Sequence, residues 1–225
     1  MFTVQVQTTE FFQSADHASS CIHDLMPKLL IATKNAHKTE EFKAVLGARW
    51  NVSDLCSHPE IVSPEETGST FAENAAIKAL AASQRFDGWV LADDSGLAVD
   101  ALNGAPGVIS ARYAGPNSSD AENRARLLQE MAAHLETQSR GGRFHCVLAL
   151  AQAGEIRGLF QGVCEGRLLT DEQGTGGFGY DSLFVPEGHT DSFGVLSSEI
   201  KNAISHRARA LEAFQAWLSK NPDIG

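Results

Sequence analysis

From about residue 26 onward, short continuous apolar runs alternate with longer stretches of helical spacing. Residues 28–32 read as a buried strand, Thr33-Lys34-Asn35-Ala36 as a turn, and residues 37–46 as a helix ended by Gly47. Residues 50–53 fit a second strand. Residues 54–68, with prolines at 59 and 64, read as loop, and alanine-rich 69–86 as a second helix with Ser69 as its candidate cap. Four apolar residues, 89–92, closed by a polar and glycine signal, predict a short buried strand. A further strand is expected at 97–102, closed by Asn103-Gly104-Ala105-Pro106-Gly107. Ser119 with Glu122 is a capping-box signature for a helix to about Glu136. Residues 143–152 and 155–169 read as long strands joined at Ala153-Gly154. A glycine loop, 174–179, a short strand at 182–185 and a last helix ending near Ser219 complete the chain. That helix begins either at Ser205 or nearer Ser198. Parallel βα units combined with a long antiparallel pair predict an α/β fold around a mixed sheet.

The segment before Met26 is polar, with one alternating piece, Phe2-Thr3-Val4-Gln5-Val6. Met26-Pro27-Lys28 directly precedes the first core strand, so residues 1–25 are expected to be a poorly ordered, dispensable leader and 26–225 the functional domain. The alternative is an edge strand built on Phe2, Val4 and Val6. No basic start and continuous apolar core mark a secretory signal there. The 225 residues suffice for a real core, and no apolar run approaches a membrane span. A net charge of −10 argues against a nucleic-acid surface, although a few local cations can still hold a small anion. Cys21, Cys56, Cys146 and Cys164 form no CxxC pair, which favours reduced thiols in a cytoplasmic protein.

Candidate chemistry begins with Asp93-Asp94 at the end of the 89–92 run. Two acids at the mouth of a sheet are expensive without a compensating partner. Strand alternation turns them to opposite faces, so one is functional and the other structural. Thr33-Lys34-Asn35-Ala36-His37-Lys38 lies between a buried strand and a helix, where backbone N–H groups and the helix dipole favour an anion; it reads equally as a capped helix start with exposed lysines. The P-loop spacing is absent. Glu65-Glu66-Thr67-Gly68 precedes the second helix, and its acids are either dipole partners or one of them meets Asp94 across a site. Oxygen-only ligands would select Mg²⁺ or Mn²⁺ over zinc. Gly174-Thr175-Gly176-Gly177-Phe178-Gly179 matches GxGxxG by letter, but Tyr180-Asp181 and a strand-like run follow in place of a helix. The loop reads as a close-approach segment with Phe178 and Tyr180 able to stack on a base, or as a plain hairpin loop. Lys201, His206 and Arg207 add donors near the last helix.

In order and at plausible spacing, these motifs resemble the inosine triphosphate pyrophosphatase family. The matching residues are Ala32-Thr33-Lys34-Asn35 through Lys38, Glu65-Glu66-Thr67-Gly68, and Phe71-Ala72-Glu73-Asn74-Ala75 with Lys78. They continue through Ala92-Asp93-Asp94-Ser95-Gly96-Leu97, Gly104-Ala105-Pro106-Gly107, Ser110-Ala111-Arg112-Tyr113, Arg143-Phe144-His145-Cys146, the 174–181 loop and Ser205-His206-Arg207. The resemblance implies an elongated mixed sheet with flanking helices and a central nucleotide-binding cleft. It implies Mg²⁺-dependent hydrolysis of ITP, dITP and XTP to monophosphate and pyrophosphate by a cytoplasmic homodimer. Carried over by motif position, Glu66 and Asp94 would hold the metal, and Asp94 would accept the proton. Thr33, Lys34, Asn35, Ala36, His37 and Lys38 would hold the triphosphate. Ser95, Phe178, Gly179, Tyr180, Asp181, Lys201, His206 and Arg207 would bind the nucleotide. Lys34 stands where many members carry glycine, and residues before Met26 have no counterpart. Three rivals are a pyrophosphatase for pyrimidine or modified nucleotides, a nucleotide sensor without turnover, and a dinucleotide oxidoreductase using the glycine loop.

Overall fold

A computed structural model describes residues 26–134, 136, 140–222 and 224; the expected leader, 1–25, lies outside them. The first half is built of parallel units: β1 (Lys28–Ile31), α1 (Ala36–Leu46), β2 (Asn51–Asp54), α2 (Phe71–Ser83) and β3 (Trp89–Val99). β1 pairs in parallel with both β2 and β3. Then come α3 (Asp120–Glu130), the antiparallel pair β4 (Gly141–Gln152) and β5 (Glu155–Leu168), and β6 (Phe184–Pro186). Two helices, α4 (Ser198–Ile204) and α5 (His206–Ser219), close the chain. The strands form one sheet in the order β2-β1-β3-β4-β5-β6.

Alternation along the strands divides the core. Leu29, Ile31, Leu91, Leu148 and Leu150 face α1 and α5, meeting Phe42, Leu211, Phe214 and Leu218. Leu30, Ala32, Val90, Ala92 and Ala149 face α2, whose Ala75, Ala79 and Ala82 present only methyl groups to the sheet. A third cluster, with Leu97, Val99, Phe144, Tyr180, Phe184 and Phe193, fills the far end. Gly162 on β5 sits directly beneath α5. A Cβ built there would lie 2.1 Å from His206 O and 2.4 Å from Ala210 N. Gly162→Ala must therefore push a helix off the sheet, at a cost of about 3 kcal/mol or more. A thermal melt is expected to fall by about 10 °C; an unchanged melt would show that α5 is not seated here.

The structure corrects several expected boundaries. The expected strands at 89–92 and 97–102 are one strand, β3, which runs through both acids before a 3₁₀ turn at Asp100–Leu102. Polar residues do not end it because β4 supplies a continuous ladder, from Val90↔Ala151 to Val99↔Gly142. Thr70, not Ser69, caps α2, since its hydroxyl accepts the Glu73 N–H in a reciprocal capping box. The Ser119–Glu122 box forms as expected. However, α3 stops at Glu130, well short of 136, where buried Met131 turns the chain. The buried Arg140 guanidinium then donates to Met131 O and His134 O. The expected strand at 182–185 is a turn over Asp181–Leu183 followed by β6, an edge strand that tolerates Pro186. Both proposed starts of the last helix exist. Ser197 caps α4, and Ser205 ends α4 while its hydroxyl caps α5 through the Ala208 N–H.

Candidate active site

β1 leaves β3 after the Ile31↔Leu91 pair, whereas β4 continues alongside. The edge of β3 from Asp93 to Leu97 is therefore open on the side where the Thr33–Lys38 turn enters α1. Such a crevice at the carboxyl end of a parallel strand is a common ligand position.

On the α5 face, Asp93 anchors a buried ionic cluster. It accepts from Lys38 Nζ at 2.8 Å and Arg207 Nε at 2.6 Å, with Cys146 Sγ 3.8 Å away. Arg207 also donates to Glu41 and, at 3.0 Å, to Ser95 Oγ. Lys201 Nζ lies 2.7 Å from both Glu41 Oε1 and Asp181 Oδ2. Three carboxylates thus face three cations, which is how the fold tolerates charges this deep. Burial works upward on Asp93, but Arg207 and Lys38 outweigh it and hold the carboxyl well below its ordinary range. Burial lifts Asp181 above the usual range, with Lys201 offsetting only part of the effect. Burial, reinforced by the Asp93 charge, pushes the Cys146 thiol well up, so it stays protonated.

On the α2 face, Asp94 Oδ1 accepts from Lys78 Nζ at 2.7 Å, and Lys78 reaches Glu66 Oε1 at 3.0 Å. Arg112 holds the other Glu66 oxygen at 3.2 Å. Asp94 Oδ2 is buried without a hydrogen-bond partner among the described residues. Burial, with Glu66 adding to it, raises the Asp94 carboxyl above its ordinary value despite Lys78. Burial also works upward on Glu66, yet Lys78 and Arg112 bring it below. No group of three or more His, Cys, Asp or Glu positioned for a metal occurs among the described residues. Two carboxylates, one with an unpartnered oxygen, match the habit of Mg²⁺, which takes few protein oxygens and completes its shell from phosphates and water.

The turn into α1 is set by its own side chains. Thr33 Oγ1 accepts the Asn35 N–H at 3.1 Å, and Asn35 Oδ1 accepts the His37 and Lys38 N–H groups at 3.0 and 3.3 Å. Asn35 is thus an N-cap at a helix start that opens on a cleft of about 610 Å³. Asn35, Lys38 and Ser95 line one side, Phe178, Gly179 and Asp181 another, and Lys201, His206 and Arg207 a third. His206 stacks on Phe144 with centroids 4.8 Å apart; burial and the neighbouring Arg207 hold it well below its usual pKa, so the ring is neutral. Its Nδ1 is buried and has no hydrogen-bond partner among the described residues. A larger groove of about 790 Å³ lies at the ends of β4 to β6; of its three acids, Asp100 and Glu165 are paired with Arg143, and Glu187 is the third.

Comparison with known proteins decides the family. The model of the Ham1 family matches residues 29–217. The chain belongs to the Ham1 family. The Ham1 match contains both β3 acids, the turn into α1, the glycine loop and the start of α5. A dITP/XTP pyrophosphatase of Halalkalibacterium halodurans is 47% identical over 194 residues, covering 86% of this chain and 100% of that protein. One from Protochlamydia amoebophila is 42% identical, covering 87% and 100%. A HAM1 protein structure from Coxiella burnetii superposes with a TM-score of 0.78 at 38% identity, over 87% of this chain and 100% of that one. The Staphylococcus aureus Ham1 protein gives 0.76 at 38%, over 86% and 99%.

The Ham1 fold brings together residues that the sequence could only place in separate motifs. Ser95, Lys201, His206 and Arg207 converge on the cleft, while Asp94 and Glu66 meet through Lys78 on the other face of β3. Asp93 does turn away from Asp94, but into the cluster that holds Lys38 and Arg207, so its role is larger than a turned-away acid suggests. Tyr180 is not a free stacking platform: it is 4% exposed, belongs to the third core, and donates to Ser110 O at 2.8 Å. Phe178 is the half-buried ring of the loop, stacked on His37 at 5.5 Å and facing Lys201 Nζ at 4.7 Å. Lys34 and Ala36 are exposed. Glu41 escaped the sequence reading, although its place three residues after Lys38 puts both on one helix face.

Proposed function

We propose that this protein hydrolyses ITP, dITP and XTP to the monophosphate and pyrophosphate with Mg²⁺, Mn²⁺ being a substitute, and so clears deaminated purines from the nucleotide pool. The observation that carries this reading is the buried Asp94 Oδ2, unpartnered among the described residues, beside Glu66 and Lys78 on the α2 face of β3, across the strand from the cleft that Lys38, Ser95, Lys201, His206 and Arg207 line. The names of the relatives support it. Glu66 and Asp94 would hold the cation, which supplies charge neutralisation on the triphosphate when bound. Asp94, with a raised pKa, is suited to accept a proton from the attacking water. Lys38 and Lys201, already on the cleft, offset charge as pyrophosphate leaves. The Asn35-capped start of α1 presents its dipole to the phosphates. For the base, hypoxanthine and xanthine offer an O6 acceptor where adenine offers an N6 donor. Arg207 has five N–H donors, three of them engaged with Asp93, Glu41 and Ser95, and the rest are free to meet O6 beside His206.

A homodimer in the cytoplasm is part of the same proposal; the free thiols Cys56, Cys146 and Cys164 accord with a reducing compartment. No helix among the described residues is long and apolar enough to cross a membrane.

The deciding assay is magnesium-dependent pyrophosphate release from ITP, with ATP, a pyrimidine triphosphate and NADH in parallel. Release of orthophosphate alone, or equal rates with ITP and ATP, would overturn the reading. Arg207→Lys keeps a cation against Asp93 and Glu41 but removes the fork. It is expected to shrink the ITP/ATP ratio of kcat/KM by about tenfold. Equal losses on both substrates would assign Arg207 to phosphate.

A further inference from the structure

We infer that α3 acts as a spacer that fixes the width of the cleft, with Asn123 gripping one wall and Asp120 and Arg124 gripping the other; these are positioning residues that act on the base through Phe178. The inference rests on the nucleotide reading above.

The two walls are Ala111 and Gly179, and both line the cleft, as does Asp120 at the start of α3. Asn123 is 2% exposed. Its Nδ2 donates to Ala111 O at 3.1 Å, and its Oδ1 accepts from Ala114 N and Ser118 Oγ, each at 2.8 Å. The other wall is held one turn along the same helix and at its start. Gly179 N–H donates to Asp120 Oδ2 at 2.7 Å, and Arg124 Nη1 donates to Gly179 O at 2.9 Å. Both polar atoms of one peptide residue are therefore fixed by α3. Gly179 has a φ of +59°, which glycine adopts without strain and other residues seldom do, so the loop can meet both α3 partners in this conformation.

Arg124 also reaches the beginning of the glycine loop, with Nε 2.9 Å from Glu172 Oε2, and Glu172 accepts from Ser182 Oγ at 2.9 Å. Phe178, next to Gly179, is held from the inside by its N–H to Asp181 Oδ2 at 2.8 Å. The backbone N–H groups of Phe178 and Gly179 are thus each held by an acid, one from the site cluster and one from α3. The helix is a rigid ruler: Leu127 is 1% exposed in the third core, and the capping box fixes its first turn. Neither the phosphate turn nor the β3 acids bond to Asp120 or Arg124; the clamp reaches the turn only through the Phe178 ring, which stacks on His37. The expected loss is therefore greatest at the base end of the site.

The test compares wild type, Asp120→Asn, Arg124→Gln and Arg124→Lys, using ITP turnover and calorimetric binding of IMP and of inorganic pyrophosphate. For Asp120→Asn and Arg124→Gln, KM for ITP and Kd for IMP are expected to rise about tenfold, the loss of one or two charge-assisted hydrogen bonds. kcat and pyrophosphate affinity should stay within about twofold, and Arg124→Lys should recover part of the loss. Unchanged KM and IMP affinity would overturn the inference. So would pyrophosphate affinity falling in step with IMP, or a lowered melting temperature in both neutral variants, since each marks a general structural role. Wild-type protein that neither turns over ITP nor binds IMP would instead retire the nucleotide reading itself.

Discussion

Asp94→Asn is expected to lower kcat for ITP by about a thousandfold while nucleotide binding remains measurable. Asn fills the same space but cannot accept a proton or offer an anionic oxygen. The cleft residues that would hold base and phosphates lie elsewhere on the site and keep their own partners. Lys78 loses one of its two carboxylates but retains Glu66, so the ammonium is not stranded. A pH profile gives an independent check. An Asp94 acting as proton acceptor works only when ionised, so wild-type kcat should decline as pH is lowered through its titration; burial raises that titration in the metal-free fold and a bound cation would lower it. Residual Asp94→Asn activity should lack that limb. Full retention of kcat in the variant would remove Asp94 from the chemistry.

For Asp93→Asn the expected loss is stability, about 3–5 kcal/mol, or a melting temperature lower by about 10 °C. The amide cannot balance Lys38 and Arg207, and Arg207 is 1% exposed, so its charge has no water to turn to. The effect should have a characteristic pH dependence. The Asp93 carboxyl is depressed in the fold. A depressed carboxyl contributes stability in full above its unfolded pKa of about 3.9, and loses it as pH falls from there through the folded value. The gap in melting temperature between wild type and Asp93→Asn should thus be constant near neutrality and narrow in acid. Equal melting temperatures at neutral pH would mean that the cluster is not intact in solution. Kinetic losses are expected too, through displaced Lys38 and Arg207, which distinguishes this acid from an inert neighbour of Asp94.

Much of this arrangement was legible in local sequence because its causes are local. Asn35 and the Ser119–Glu122 pair announce helix starts through short-range hydrogen bonds, and the 89–92 run marks a strand by its apolarity. The motifs around Asp94, Phe178 and Arg207 were found the same way. What was missed depends on distant partners. β3 continues past its acids only because β4 lies alongside and because Lys38, Lys78 and Arg207 arrive from other elements. Tyr180 belongs to a core assembled from both halves of the chain. Glu41, Asp120 and Arg124 look like ordinary surface charges on helices until the glycine loop and α5 are brought against them. The placement of β1 between β2 and β3 likewise follows from crossovers that no short motif records.

The cluster around Asp93 also bears on the order in which the molecule can be completed. Arg207 is 114 residues from Asp93 and 166 from Glu41 along the chain. During synthesis from the N-terminus, β1, β3 and β4 emerge well before the helix that carries Arg207. Until α5 docks, Asp93 would have Lys38 as a partner but lack Arg207, so only one of its two cations would be in place at the sheet. The same late event delivers Phe214 and Leu218 to the core and His206 and Arg207 to the cleft. Docking of the last helix thus completes the core and the cleft in a single event.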